Sequence, residues 1–272
     1  MEKLRKALDR AREERGDSKF WKAEFQGSSG AERPVPATEN YSYTQTRVLE
    51  PNPEVFERNR VLSPGEMSLA ADAFRMLRTQ VVQRMGEQGW RTLAVTSPTR
   101  NEGRTLAAVN LAIALASDPR YSVLLCDLDL RSPSIADLFG FEPTVGVDDV
   151  LSGSASVADV LVHPRGFERL VLLPARTALN GSSEYLSSAA TKAMVKELRE
   201  RYPDRILIFD LPAVLLSDDA LAFTPNVECA LVVISEGTTR REDVSRCMEM
   251  LQNTPVVGTL LNRSLSGKAS LV

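Results

Sequence analysis

The chain has 272 residues, 43% hydrophobic and 25% charged, enough for a sizeable core in one large α/β domain or two small ones. Its formal net charge of −3, with the signs interspersed, argues against a nucleic-acid binder. Cys126, Cys229 and Cys247 lack metal-ligand spacing and read as buried, reduced thiols of a cytosolic protein. No apolar run reaches transmembrane length, and the charged first residues predict no signal peptide.

Residues 1–15 predict a charged helix with a narrow stripe of Leu4, Ala7, Leu8 and Ala11. Residues 16–62 read as a linker and extended arm, with Gly and Pro early and Val48, Val55, Phe56 and Val61 as apolar anchors. The compact domain is expected over 63–264, with 265–272 a small polar tail. Its first helix is expected from Ser63 to about Gln88. Asp72, Arg75 and Arg78 lie three apart on it, so they share a face, either solvated or paired within or between subunits.

The chain is organised around Leu93 to Ala116. Leu93, Ala94 and Val95 read as a buried strand, and apolar residues from Leu106 to Leu115 recur at helical spacing. The loop between them places Gly103, Arg104 and Thr105 where a phosphate-binding loop has Gly, Lys and Ser/Thr. Pro98 stands where the first Gly of that pattern belongs. Asn101 suits a left-handed backbone. The alternative is an ordinary strand–turn–helix capped by Thr105.

Tyr121 to Asp127 is a second apolar strand, ending in Asp127 and Asp129. Carboxylates at the carboxyl end of a parallel strand sit where ligands bind. The pair suits Mg²⁺ and an attacking hydroxyl, or else caps the strand end. Helix and turn follow from Ser134 to Gly153, and a short helix spans Val157 to Val162. The lone His163 is assigned no chemistry. Leu170 to Pro174 is a third strand, and Thr191 to Arg201 an amphipathic helix. Arg205 to Asp210 is a fourth strand, whose terminal acid has the form that supports the water shell of Mg²⁺. Ser217 to Ala220 opens the next helix. Glu228 to Ile234 and Val256 to Asn262 complete six expected strands. Strands alternating with helices predict an α/β fold with a mostly parallel sheet and helices on both faces.

Three strand-end signals in this order, with Asp72-Ala-Phe-Arg75-Met-Leu-Arg78, resemble the bacterial tyrosine kinases (BY-kinases) of capsule and exopolysaccharide synthesis, within the P-loop partition and septum-site ATPases. The likeness covers about Ser63 to Asn262. Asp127, Asp129, Arg131 and Pro133 resemble the family's Walker A′ segment, and Phe209 to Pro212 its Walker B. The resemblance implies a P-loop NTPase-like fold that binds ATP and Mg²⁺. Asn101, Glu102, Gly103, Arg104, Thr105 and Leu106 would form the phosphate loop. Thr105, Asp127 and Asp210 would serve the metal. Asp127 or Asp129 would orient the acceptor hydroxyl, and Arg104 would neutralise phosphate. Asn262 and Arg263 resemble the Asn-Lys pair that ends the last strand, where the Asn reads adenine. Asp72, Arg75 and Arg78 look like the ring-assembly motif and imply a homo-oligomer.

The implied activity is protein-tyrosine autokinase, assisting polysaccharide export with a membrane chain-length-determinant partner at the inner face of the membrane. The N-terminal region looks most like the exosortase-linked subgroup. Arg104 replaces the family's Lys, Arg100-Asn101 replaces Pro-Gly, and Ala213 replaces a second Pro. The last tyrosine is Tyr202, so the usual C-terminal tyrosine cluster is absent. Tyr41 and Tyr43 are the acceptor candidates, or incidental linker aromatics. These departures admit a rival, a pseudokinase scaffold. A second rival, a partition-type ATPase, is opposed by the acidic balance and the lack of a basic C-terminal helix.

Overall fold

In the computed structural model, which describes residues 46–202 and 204–264, three central strands have no solvent-facing side. They are β2 (Thr92–Thr96), β3 (Ser122–Asp127) and β6 (Arg205–Asp210), buried along their full lengths. Burial on both faces is why they read as continuous apolar runs. With β1 (Arg47–Leu49), β4 (Val162–Pro164), β5 (Leu170–Leu173), β7 (Cys229–Ser235) and β8 (Val256–Asn262), they form one eight-stranded sheet ordered β1-β4-β5-β3-β6-β2-β7-β8. Every pairing is parallel except β4 with β5. This is the mostly parallel, P-loop NTPase-like α/β sheet expected from the sequence.

Side-chain alternation divides the interior into two cores. Leu93, Val95, Leu125, Ile208 and Leu231 face α2 (Leu69–Gln88) and α3 (Arg104–Ala116). Ala94, Leu124, Cys126, Phe209 and Val232 face the other core, covered by α8 (Ala189–Arg201) and α10 (Arg241–Met250). Helix α3 is buried from Ala107 to Ala116, lying between the sheet and α2. Its alanines permit that close approach on two sides. The short helices α4 (Ile135–Phe139), α5 (Val147–Leu151), α6 (Val157–Val160), α7 (Ser182–Ser187) and α9 (Asp219–Phe223) fill the crossovers.

Three expectations are corrected. The sheet has eight strands rather than six, because β1 and β4 are three residues each, too short to show a pattern. The helix expected from Ser63 starts at Leu69. Pro64 and Gly65 form a turn instead, in which Glu66 accepts from the Ser63 N–H (2.9 Å) and the Ser68 hydroxyl (2.6 Å). Ser68 then caps α2 by accepting from the Ala71 N–H (3.1 Å). Finally, packing begins before Ser63. Strand β1 pairs with β4, and α1 (Pro53–Asn59) brings Phe56, followed by Val61 and Leu62, into the core. The expected helix over 1–15, the first part of the linker with Tyr41 and Tyr43, and the tail over 265–272 lie outside the described residues.

Asn110, buried in α3, fastens this early segment. Its Oδ1 accepts from the Leu62 N–H at 2.9 Å, and its Nδ2 donates to the Arg60 carbonyl at 3.0 Å. Asn110→Ala orphans both groups and is expected to destabilise the protein by about 2–4 kcal/mol in denaturant melts. A change within about 0.5 kcal/mol would show that the Asn110 side chain does not fasten the segment.

Candidate functional site

Parallel pairing in fixed register brings several strand ends to one edge of the sheet. Asp127 of β3 lies opposite Asp210 of β6, Val95 of β2 opposite the same Asp210, and Ser235 of β7 opposite Asn262 of β8. Strand β2 is central, so the loop that follows it crosses the middle of this edge. The loop ends at Gly103, the N-cap of α3, with φ +83°. Asn101 is left-handed at φ +62°, as its residue type allows. A side chain at position 103 would overlap the Asn262 amide as well as strain the backbone.

Four acids are buried here: Glu102, Asp127, Asp129 and Asp210. Asp127 Oδ2 accepts from the Ser134 and Ile135 N–H groups, both at 2.9 Å, while Oδ1 has no hydrogen-bond partner among the described residues. Neither oxygen of Asp210 has a well-formed one, although the Thr105 hydroxyl lies near enough to favour its charged form. Burial pushes both carboxyl groups above the usual carboxylate range; the charge of Asp129 adds to the rise at Asp127, and the charge of Asp127 adds to the rise at Asp210. At Asp210 the charge of Arg104 pulls the other way.

Arg104, 13% exposed, is ion-paired with Asp129, whose Oδ1 accepts from the Ser132 N–H at 3.2 Å. The cation at the lysine place of the loop is therefore engaged by one of the expected site acids, while Arg100, earlier in the loop, is exposed. Thr105 follows it in the first turn of α3. The orphaned oxygens of Asp127 and Asp210 form an all-oxygen donor set that fits a hard divalent cation. Among the described residues no group of three or more His, Cys, Asp and Glu side chains is arranged for a metal. Mg²⁺ takes one or two carboxylates and completes its shell from water and ligand oxygens.

The structure also braces the loop. Glu102 Oε1 accepts from the hydroxyls of Thr99 (2.7 Å) and Thr239 (2.8 Å). Asn262 Nδ2 donates to the Glu102 carbonyl at 2.8 Å, and Asn262 Oδ1 accepts from the Arg263 N–H at 2.8 Å. Asn262 is thus a strut against the loop, and Arg263 is exposed. Sequence reasoning missed Thr99 and Thr239. Their one signal, hydroxyls just beyond strand ends, becomes informative only once β7 is known to flank β2. It also missed Asp219, which is buried, pairs with Arg131 (2.7 Å) and accepts from the Ser182 hydroxyl (2.8 Å), tying the loop after β3 to α7 and α9.

Asp72, Arg75 and Arg78 divide into two roles. Asp72 and Arg75 form an exposed ion pair within α2, whereas Arg78 donates to the Ala114 carbonyl of α3 at 3.1 Å. Beside the pair, Met67, Leu69 and Met76 are exposed.

No protein-family model matches the chain. It is 28% identical over 216 residues to tyrosine-protein kinase YwqD of Bacillus subtilis (strain 168), covering 79% of this chain and 90% of that protein. It is 29% identical over 216 residues to succinoglycan biosynthesis transport protein ExoP of Rhizobium meliloti (strain 1021), covering 77% of this chain but 27% of that protein. Among solved structures, the VpsO kinase domain is 30% identical with a TM-score of 0.64, covering 72% of this chain and 94% of that one.

The raised carboxyl groups give a prediction with a definite sign. Between the ordinary carboxylate pKa and their raised values, the folded state binds more protons than the unfolded state, so metal-free protein loses stability as pH rises through that window. Asp210→Asn should melt above the wild type at about pH 7.5, the gap closing toward about pH 4. A variant that melts lower at the higher pH would refute the assignment.

Proposed function

From the premise that the chain belongs to the bacterial tyrosine-kinase family, we propose that it binds Mg·ATP at the carboxyl edge of its sheet and transfers the γ-phosphoryl group to tyrosine hydroxyls. The observation that carries this reading is the register-paired Asp127 and Asp210, buried with orphaned oxygens beside Arg104 and Thr105. A fold seeking only stability would not place two such acids side by side. Thr105, Asp127 and Asp210 would hold Mg²⁺, which when bound neutralises charge on the phosphate oxygens. The loop from Asn101 to Leu106 would cradle phosphate at the start of α3. Arg104 would exchange Asp129 for phosphate, two anions that a guanidinium pairs with equally well. Asp129, released, or Asp127 would orient the acceptor hydroxyl. Such positioning and charge compensation supply most of phosphoryl-transfer catalysis. Asn262 would carry the loop and meet the base.

The names of the relatives support a role in exopolysaccharide production. Among the described residues no helix is long and apolar enough to cross a membrane. We place the protein at the inner membrane face through a chain-length-determinant partner, as a homo-oligomer joined through Asp72, Arg75 and the apolar residues beside them. One observation favours a second reading, a pseudokinase scaffold: the Arg104–Asp129 ion pair occupies the cation that phosphate needs.

Calorimetry separates the two. The kinase reading expects roughly micromolar Mg·ATP binding, weakened about tenfold or more in Asp127→Asn. Tyrosine phosphorylation should then follow, with Tyr41 and Tyr43 replaced by Phe to identify the acceptor. No binding at millimolar ATP would leave the scaffold.

A further inference from the structure

Asp127 is gripped by a helix too short to hold itself. Helix α4 has five residues, well below the length at which a helix is stable in water, so its place is set by what packs on it. At its start the Ser134 and Ile135 N–H groups hold Asp127 Oδ2. At its end, about 6 Å along the axis, Phe139 is fully buried in a three-ring cluster. Phe56 of α1 meets it edge to face at 5.4 Å, and Phe167 lies 6.2 Å from it and 5.8 Å from Phe56. Two more contacts join α1 to the same helix. Asn59 Nδ2 donates to the Asp137 carbonyl at 3.4 Å. Val55 packs over Gly140, where an added Cβ would come within 3.1 Å of Val55 Cγ2.

We propose that Phe56 is a positioning residue for Asp127. Seated against Phe139, it fixes the tilt of α4. Helix α4 then presents two N–H groups to Oδ2 and leaves Oδ1 unpaired. The segment between β1 and α2 thereby determines whether the site is assembled for metal. The inference rests on the reading that Asp127 serves Mg²⁺ bound with ATP.

The test uses the full chain with Phe56→Ala, Phe56→Leu and the half-buried variant Asn59→Ala. Two quantities are read: amide hydrogen exchange at Ser134 and Ile135 without nucleotide, and ATP affinity with Mg²⁺ and with EDTA. Phe56→Ala should speed exchange at both amides about tenfold and weaken Mg·ATP about tenfold, with metal-free ATP affinity unchanged within about twofold. Phe56→Leu should recover most of both, and Asn59→Ala should move both in the same direction by less. A merely structural role would lower the two affinities alike. That result, or unaltered exchange at Ser134 and Ile135, overturns the inference. If Phe56→Ala does not fold, Phe56→Leu and Asn59→Ala decide it, and no change in either readout overturns it. Wild type that binds no Mg·ATP refutes the functional reading instead, and the exchange rates alone then decide whether Phe56 orders the helix.

Discussion

The structure depends on tolerating too much negative charge at the ends of neighbouring strands. Asp127 and Asp210 are paired in register, Asp129 follows two residues on, and all three are buried. Two unit charges 4 Å apart repel by about 4 kcal/mol at the dielectric typical near a protein surface, and by more inside. One cation, Arg104, offsets part of this through Asp129. Burial, together with the rest of this repulsion, makes the Asp127 and Asp210 carboxyl groups keep their protons more tightly than usual. Under the proposed function, something positive from outside would complete an edge built this way.

Arginine in place of the expected lysine changes how the edge waits for that completion. A guanidinium is a planar fork that matches a carboxylate, whereas an ammonium is a compact point charge. Arg104 therefore rests on Asp129, and under the proposed function an arriving phosphate would have to compete with an acid of the protein itself. The surrounding loop is held independently. Glu102 links Thr99 to Thr239, and Asn262 reaches from β8 to the Glu102 carbonyl. These braces span the strands on one side of the loop, and the Asp219 network spans the helices on the other.

Most of the sheet was legible because its strands are buried on both faces and so carry unbroken apolar runs. Asp127, Asp129 and Asp210 were legible for a related reason: an acid that ends such a run has few structural uses. The strands that escaped, β1 and β4, are too short to show periodicity and lie toward one side of the sheet. The start of α2 escaped because Ser63-Pro-Gly-Glu66 looks like a helix entry, yet Gly65 takes a left-handed φ of +76° and makes a turn. The early segment was legible only as an arm with apolar anchors, Phe56 and Val61 among them, because its burial is supplied from afar: Phe56 meets Phe139 and Phe167, and Asn110 meets Arg60 and Leu62.

The sequence by itself determined the α/β class, the loop between β2 and α3, and the identity of the acids. These follow from local periodicity and from residue types at strand ends. Tertiary structure alone decided that β6 lies between β2 and β3, which sets Asp127 opposite Asp210. It alone decided that Arg104 rests on Asp129, that Arg78 turns inward to α3, and that Phe56 stands behind α4. Strand order and long-range packing minimise the free energy of the whole chain, and no window of neighbouring residues contains them.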